Sequence, residues 1–429
     1  MRVVFYSTNS NVFYEATFKI NVMPQNAAAF QEFCKAHPDN EFFCVTQKPA
    51  MFLPEENKNN QIIFLPQNTD TKKFSDTIIS LNPDLAIAMT FWIEPYDWLP
   101  VSDALVAENL KDHGIKTICH SVETGLICFD KWRTHNKLAQ LGFDVPSTVF
   151  CDHDLYFCAG SNKEVICNVY KESVLAQIKK LKLPLIIKDT TGLSSFGMTV
   201  AHTYGEVAGY LNSKRNNSNR LIEEFIQGRQ FGLEIYGVPG VYTILPPFEF
   251  SVNQYGITSP KQSVKYGPCE LTSDLRQMMF KLADGLGLCG AAQVDLILDE
   301  NDKWHIIEIN PRLSGMSFTY STACGLSVFE MIYKTCFEKK PLLQPAPYVM
   351  SLKLPLMTEN QMKDILLLEG VKLLNQTNDL AAKQEREKGF CECIICSSDK
   401  SVLQNTIIEF EKIFREDAII LQAKKMINQ

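Results

Sequence analysis

Two hydrophobic rhythms alternate along the first 120 residues. Short β-rich runs at Val3–Tyr6, Phe42–Thr46, Ile62–Leu65, Asp84–Ala88 and Lys116–Cys119 predict strands. Between them, Ala27–Ala36, Phe74–Leu81 and Ser102–His113 show helical spacing, and Gly114 is placed to end the last helix. Strand–helix alternation of this kind predicts an open parallel α/β sheet. No Gly-x-Gly-x-x-Gly turn occurs in it, so the sheet lacks the usual dinucleotide fingerprint.

Past residue 130 the pattern changes. A helix is predicted from Asp130 to Leu141, closed by Gly142, and a strand pair brackets Pro146 and Leu183–Asp189. A Gly/Ser-containing loop follows at 190–198, and the polar stretch Ser213–Asn219 reads as an exposed turn. Residues 289–309 hold two strongly apolar strands joined by the polar turn Asp299–Lys303, which predicts a β-hairpin. Pro341, Pro345 and Pro347 mark a boundary, after which 341–429 read as a small α+β unit with a helix at 401–415.

A length of 429 residues implies several domains, and 45% hydrophobic with 21% charged residues is an ordinary globular composition. A net charge of −7 argues against non-specific nucleic-acid binding. No apolar run is long enough to span a bilayer, and the N-terminus carries no secretory-signal pattern. The fourteen cysteines are scattered through a large chain, which predicts reduced, mostly buried thiols and a cytoplasmic location. The run Cys391, Cys393, Cys396 lacks the paired arms of a zinc site, and strand alternation splits it across two faces. An aromatic segment, Phe91, Trp92, Tyr96 and Trp98, reads as interdomain packing or as a substrate-facing edge.

Candidate chemistry centres on the hairpin. Glu308 and Asn310 are two apart on a strand and share a face, and the hairpin can set Asp295 beside Glu308. Such oxygen ligands suit magnesium, which binds a few carboxylates and keeps the rest of its shell for phosphates and water. Arg312 follows on the same side and can stabilise developing negative charge. Taken alone, the set fits the solvated face of an edge hairpin equally well. Upstream, the apolar strand Leu183–Lys188 ends in a lysine and opens into small residues that include Ser194, Ser195, Gly197 and Met198. Backbone N–H groups and hydroxyls there can cradle an anion, although the loop is not a Walker motif. The segment Leu221–Ile226 followed by Gly228 fits a strand entering a hinge, or a plain strand with an acidic face.

Together and in this order, these elements resemble the ATP-grasp superfamily across about residues 115–340, closest in pattern to L-amino-acid ligases. Features of D-alanine–D-alanine ligases and biotin carboxylases are mixed in. The resemblance implies a Rossmann-like domain at 1–120, an ATP-grasp domain at 121–340 with its lid at about 145–227, and the small C-terminal unit at 341–429. It implies that Lys131 and Lys188 contact the nucleotide, and that the loop with Ser194, Ser195, Gly197 and Met198 covers its phosphates. Glu223, Glu224, Phe225 and Ile226 match the adenine hinge. Asp295, Glu308 and Asn310 match the magnesium ligands, and Arg312 is the arginine of the Asn-x-Arg form. Gln230 stands where a ribose-binding glutamate is frequent, and Gln293 where D-alanine–D-alanine ligases carry arginine.

The implied activity is ATP-dependent, ADP-forming carboxylate–amine ligation through an acyl phosphate, with Arg312 and Lys188 in catalytic roles. The cofactors are ATP with two magnesium ions, or manganese in their place. The partners are a small carboxylate and an amine, with a homodimer as the expected assembly and neither nucleic acid nor membrane. A biotin-carboxylase-type carboxylase and a non-catalytic nucleotide-binding regulator are the alternatives.

Overall fold

The computed structural model describes residues 1–8, 18–20, 24–47, 60–66, 69–90, 98–159, 166–191, 198–252, 263–342, 344–379, 389–414 and 417–428. Ser194, Ser195 and Gly197, and with them Phe91, Trp92 and Tyr96, lie outside these residues.

The N-terminal alternation folds into a five-stranded parallel sheet in the order Asn60–Leu65, Glu41–Gln47, Arg2–Ser7, Leu85–Ala88, Lys116–Ile118. The central strand is apolar on both faces, with Val3, Val4, Phe5 and Tyr6 all buried, as a parallel sheet covered on two sides requires. Chain order reverses between Arg2–Ser7 and Leu85–Ala88, so their C-terminal ends flank a crevice of the kind in which open α/β sheets bind ligands.

A second, antiparallel sheet has four strands in the order Thr148–Cys151, Arg220–Glu224, Leu185–Asp189, Thr199–Ala201. Its core packs Val149, Ile187 and Ile222 against Val174 and Ile178 of the helix Val169–Ile178 and against Val207 and Leu211 of the helix Tyr204–Leu211. The polar stretch Ser213–Asn219 departs from a plain exposed turn. Asn216 is buried and donates to Leu211 O at 2.9 Å. Ser218 and Arg220 both bond Asp189 at the end of the lysine-bearing strand.

The remaining strands join one large sheet. It runs Trp304–Asn310, Gly290–Asp299, Gly228–Val238, Phe248–Phe250, Val264–Gly267, Tyr348–Leu354, Gly389–Ser397, Val371–Asp379, Phe18–Ile20, with Val241–Ile244 paired to Gly228–Val238. The strands beyond residue 341 therefore hydrogen-bond directly into the sheet that carries the hairpin, and a short N-terminal strand completes the far edge.

The two faces of this sheet differ. One is apolar: Phe231, Leu233, Val294, Leu296 and Ile309 pack on the helix Ser273–Leu286. Further along, Val264, Met350, Leu352, Cys391 and Cys393 pack on the helices Lys400–Ile413 and Ala418–Asn428. Cys396 points to the opposite core, so the three neighbouring thiols serve two packing layers. Cross-strand partners share a face, and the other face carries the polar rows. Glu308, Asp295 and Gly232 stand opposite one another in one row. Gln230, Phe250, Lys265 and Ser351 form the next row on that face.

Candidate active site

Local sequence places the first lysine. Asp130 caps the helix Lys131–Gln140, its carboxylate accepting from Trp132 N at 2.8 Å and Arg133 N at 3.0 Å. A carboxylate at this end satisfies amides that the helix leaves open. Lys131 N donates to Thr190 O at 2.7 Å, which fastens the helix start to the chain just past the lysine-bearing strand. Lys131 Nζ then reaches Glu308 Oε1 at 3.0 Å.

Lys188 is buried on the strand Leu185–Asp189, and its Nζ meets Glu223 Oε2 at 2.5 Å on the neighbouring strand. Glu224 turns the other way and accepts from Lys182 N at 2.8 Å. Phe225 N donates to Pro184 O at 3.1 Å, and Phe225 and Ile226 are half-buried as the chain leaves the four-stranded sheet for Gly228. A Cβ at Gly228 would lie 2.3 Å from Leu298 O, so only glycine lets the two backbones approach this closely. Met198, half-buried, precedes the strand Thr199–Ala201. Gln230 is half-buried and pairs with Phe250 and Ile297.

On the hairpin, Asp295 and Glu308 are direct partners, and a register shift follows at Asp295/Leu296. Asn310 pairs with Gln293, and Gln293 Nε2 donates to Asp295 Oδ1 at 2.7 Å. Arg312 Nη2 donates to Asn310 Oδ1 at 3.1 Å. Thus Lys131, Asp295, Glu308, Asn310 and Arg312 come together. Lys188 is near enough for its charge to act on Glu308.

The electrostatics of this group follow from its crowding. Burial, then the neighbouring Glu308 charge, push Asp295 up to about 7. Burial also pushes Glu308 up, but the charge and hydrogen bond of Lys131, helped by Lys188 and Arg312, pull it net below its ordinary value. One carboxylate is thus held ionised and the other resists ionisation, which marks a site that favours an added cation. Among the described residues no group of three or more His, Cys, Asp or Glu side chains is placed to hold a metal ion. The donor set is therefore two carboxylates and the Asn310 amide. An all-oxygen set of this size fits magnesium with part of its shell left open.

Sequence reasoning missed three supporting groups. Glu234 is fully buried and accepts from Tyr236 Oη at 2.6 Å, Ser317 Oγ at 2.6 Å and Ser314 Oγ at 2.8 Å. It thereby anchors the turn that carries Arg312. Its even spacing from Gln230 and Gly232 was the available signal. Lys265 sits on the same face, among apolar neighbours in sequence that gave no warning. His120 follows the last strand of the parallel sheet. Its Nε2 donates to Ala291 O at 2.9 Å and its Nδ1 accepts from Cys289 N at 3.1 Å. This bond pair fixes the tautomer and ties the N-terminal sheet to the hairpin strand. A small pocket lies at this junction, lined among others by Thr90, Asp103, His120 and Arg312.

The ATP-grasp domain family matches residues 128–316. The D-alanine–D-alanine ligase of Buchnera aphidicola subsp. Schizaphis graminum is 27% identical over 227 residues, covering 50% of this chain and 70% of that protein. In fold, the chain is similar to an ADP complex of N5-carboxyaminoimidazole ribonucleotide synthetase, with a TM-score of 0.65 at 14% identity over 100% of this chain and 97% of the other. It is similar also to the L-amino acid ligase of Bacillus licheniformis, with a TM-score of 0.62 at 15% identity over 97% of this chain and 96% of the other.

Proposed function

We propose that this chain, a member of the ATP-grasp superfamily, is an ADP-forming carboxylate–amine ligase that activates its substrate as an acyl phosphate. The observation that carries this reading is the convergence of Lys131, Asp295, Glu308, Asn310 and Arg312 on one face of the hairpin, with the Lys188 charge reaching Glu308.

Lys131 and Lys188 bind the phosphates of ATP, and Glu223 to Ile226 line the hinge against which the base lies. Both lysines are held by carboxylates in this structure, Lys131 by Glu308 and Lys188 by Glu223. Arriving phosphates exchange one set of negative partners for another. Asp295, Glu308 and Asn310 hold magnesium, which offsets charge on the phosphate oxygens when bound. A substrate carboxylate oxygen attacks the γ-phosphorus, the bond to the bridging oxygen breaks, and ADP departs. The amine nitrogen then attacks the acyl carbon, phosphate leaves with the former carboxylate oxygen, and the surplus amine proton passes to solvent. Arg312 steadies the oxyanion of that addition, held in place by Asn310 on one side and by the Glu234-anchored turn on the other.

The test is ATP turnover with pooled amino acids, with and without bicarbonate. ADP release that requires amino acids supports the ligase. Release that requires bicarbonate instead assigns a carboxylase, and no release under any condition assigns a nucleotide-binding regulator.

A further inference from the structure

Lys265 lies in a central strand of the large sheet, on the face that carries the metal-binding carboxylates. It forms no ion pair or hydrogen bond with any described residue. Yet three carboxylates, those of Glu392, Asp295 and Glu234, are close enough for their charges to act on it. Its Nζ is 5.6 Å from the centroid of the Phe250 ring and 3.6 Å from where a Cβ on Gly315 would stand. Gly315 lies three residues past Arg312, so the ammonium borders the turn that positions the arginine.

On the far side of Lys265 stand Ser351, its direct cross-strand partner, and Glu392 on the next strand. Both are buried, and the only hydrogen bond to the Glu392 carboxylate from a described residue is a long one of 3.4 Å from Ser351 Oγ. Lys265 and Glu392 are therefore a lysine and a carboxylate, neighbours by charge, that do not close on each other. Lys265 is half-buried, and Glu392 is buried opposite Lys353, whose Nζ lies 4.5 Å from the Phe390 ring centroid; a lysine–carboxylate pair with room to close ordinarily does so. A split pair of this kind is complementary to a small group bearing both charges.

Resting on the ligase reading above, we propose that Lys265, Ser351 and Glu392 form the recognition subsite for a zwitterionic amino-acid substrate. Lys265 takes the α-carboxylate, and Glu392, with Ser351 beside it, takes the α-ammonium. The subsite explains why strands beyond residue 341 are built into the catalytic sheet rather than hung beside it. It also narrows the substrate class: a free α-amino acid satisfies both charges, whereas an α-amide or an N-acetyl derivative leaves one of them unpaired.

Two readouts test this, one independent of turnover. In the first, the magnesium–ADP-loaded protein is equilibrated by dialysis with radiolabelled L-amino acids, singly, and the bound fraction is counted. The second is ADP release with free amino acids, their α-amides and their N-acetyl forms. The wild type is expected to bind at least one free amino acid and to prefer it to both derivatives. Lys265→Met is expected to weaken that binding roughly 10- to 100-fold and to lose the preference for the free acid over the amide. Glu392→Gln is expected to lose the preference over the N-acetyl form, and Lys265→Arg to restore part of the affinity. Magnesium–ADP affinity in each variant separates this from a folding defect. If Lys265 merely neutralises buried acids, Lys265→Met lowers the melting temperature while amino-acid affinity and selectivity stay as in the wild type, and the proposal is overturned. It is overturned too if no free amino acid binds the wild type. Binding that depends on Lys265 and Glu392 without any ADP release keeps the subsite and sinks the ligase reading alone.

Discussion

Replacing His120 by Gln tests the coupling between the N-terminal sheet and the hairpin strand. Burial lowers His120 from its ordinary 6.5 to about 4, only partly offset by its bond to Ala291 O. The folded protein therefore holds it neutral while the unfolded chain protonates it, and stability is lost as pH falls from 6.5 towards 4. At pH 4.5 the loss is about 2.5 kcal/mol by linkage arithmetic. Asp103, in the same pocket, acts oppositely. Burial raises it from 3.8 to about 6 against the hydrogen bonds from Thr90 and Thr8. Its carboxylate thus costs stability above pH 6, and that cost is relieved as pH falls, by about 2 kcal/mol at pH 4.5. The two nearly cancel in the wild type. His120→Gln keeps a donor and an acceptor at the position without titrating, so between pH 7.5 and 4.5 it should gain about 2.5 kcal/mol of stability relative to the wild type. Asp103→Asn should instead lose about 2 kcal/mol relative to the wild type. The assay is urea unfolding of the three proteins, followed by tryptophan fluorescence at pH 7.5 and 4.5. Parallel pH profiles for wild type and His120→Gln would refute the reasoning.

Other outcomes follow from the site. Glu308→Ala should abolish ATP turnover while circular dichroism keeps the wild-type fold, with melting lowered only as far as the partly exposed Lys131 loses its partner; unchanged turnover removes the magnesium assignment. Lys188→Met strands Glu223 in the lid core and should destabilise the protein by about 3–5 kcal/mol. The double variant Lys188→Met, Glu223→Gln should recover most of that stability, measured by denaturation, without recovering nucleotide affinity, measured by calorimetry. Gly228→Ala forces a methyl group onto the Leu298 carbonyl and should cost about 1–3 kcal/mol, read as a lowered melting temperature.

Much of the fold was legible in the sequence because each element had a local cause. The five parallel strands announced themselves as β-rich runs separated by helical spacing. The turn Asp299–Lys303 separates the strands Gly290–Asp299 and Trp304–Asn310 where the change from apolar to polar indicated. Asp130 reads as a cap because it precedes a helix and carries a short acceptor. The pairing of Asp295 with Glu308 was legible too, since hairpin geometry links them. What local pattern could not supply was pairing between distant strands. Lys265 and Glu392 are 127 residues apart in the sequence and meet only because Tyr348–Leu354 lies between their strands. The polar stretch Ser213–Asn219 reads as an exposed turn, yet Asn216 is buried and Ser218 bonds Asp189, twenty-nine positions away, beside the buried Arg220. His120 gave no motif, since its partners are a backbone carbonyl and a backbone amide, which every sequence contains.

The short strand Phe18–Ile20 pairs with Thr377–Asp379 at the last edge of the large sheet. Its partner lies 357 positions downstream of Ile20, so on a ribosome working at 5–20 residues per second it waits roughly 20–70 s. The parallel sheet around Arg2–Ser7 has all its own strands by residue 118 and can close long before then. The large sheet cannot. Until synthesis passes residue 379, Val264–Gly267 has no neighbour on one side for part of that time, and the nascent edge is open to pairing with another chain. Folding of the face that carries Asp295 and Glu308 is thus timed by the C-terminal strands, and a ribosome that stalls between residues 310 and 348 leaves a sheet with its Asp295–Glu308 hairpin made and its flank exposed.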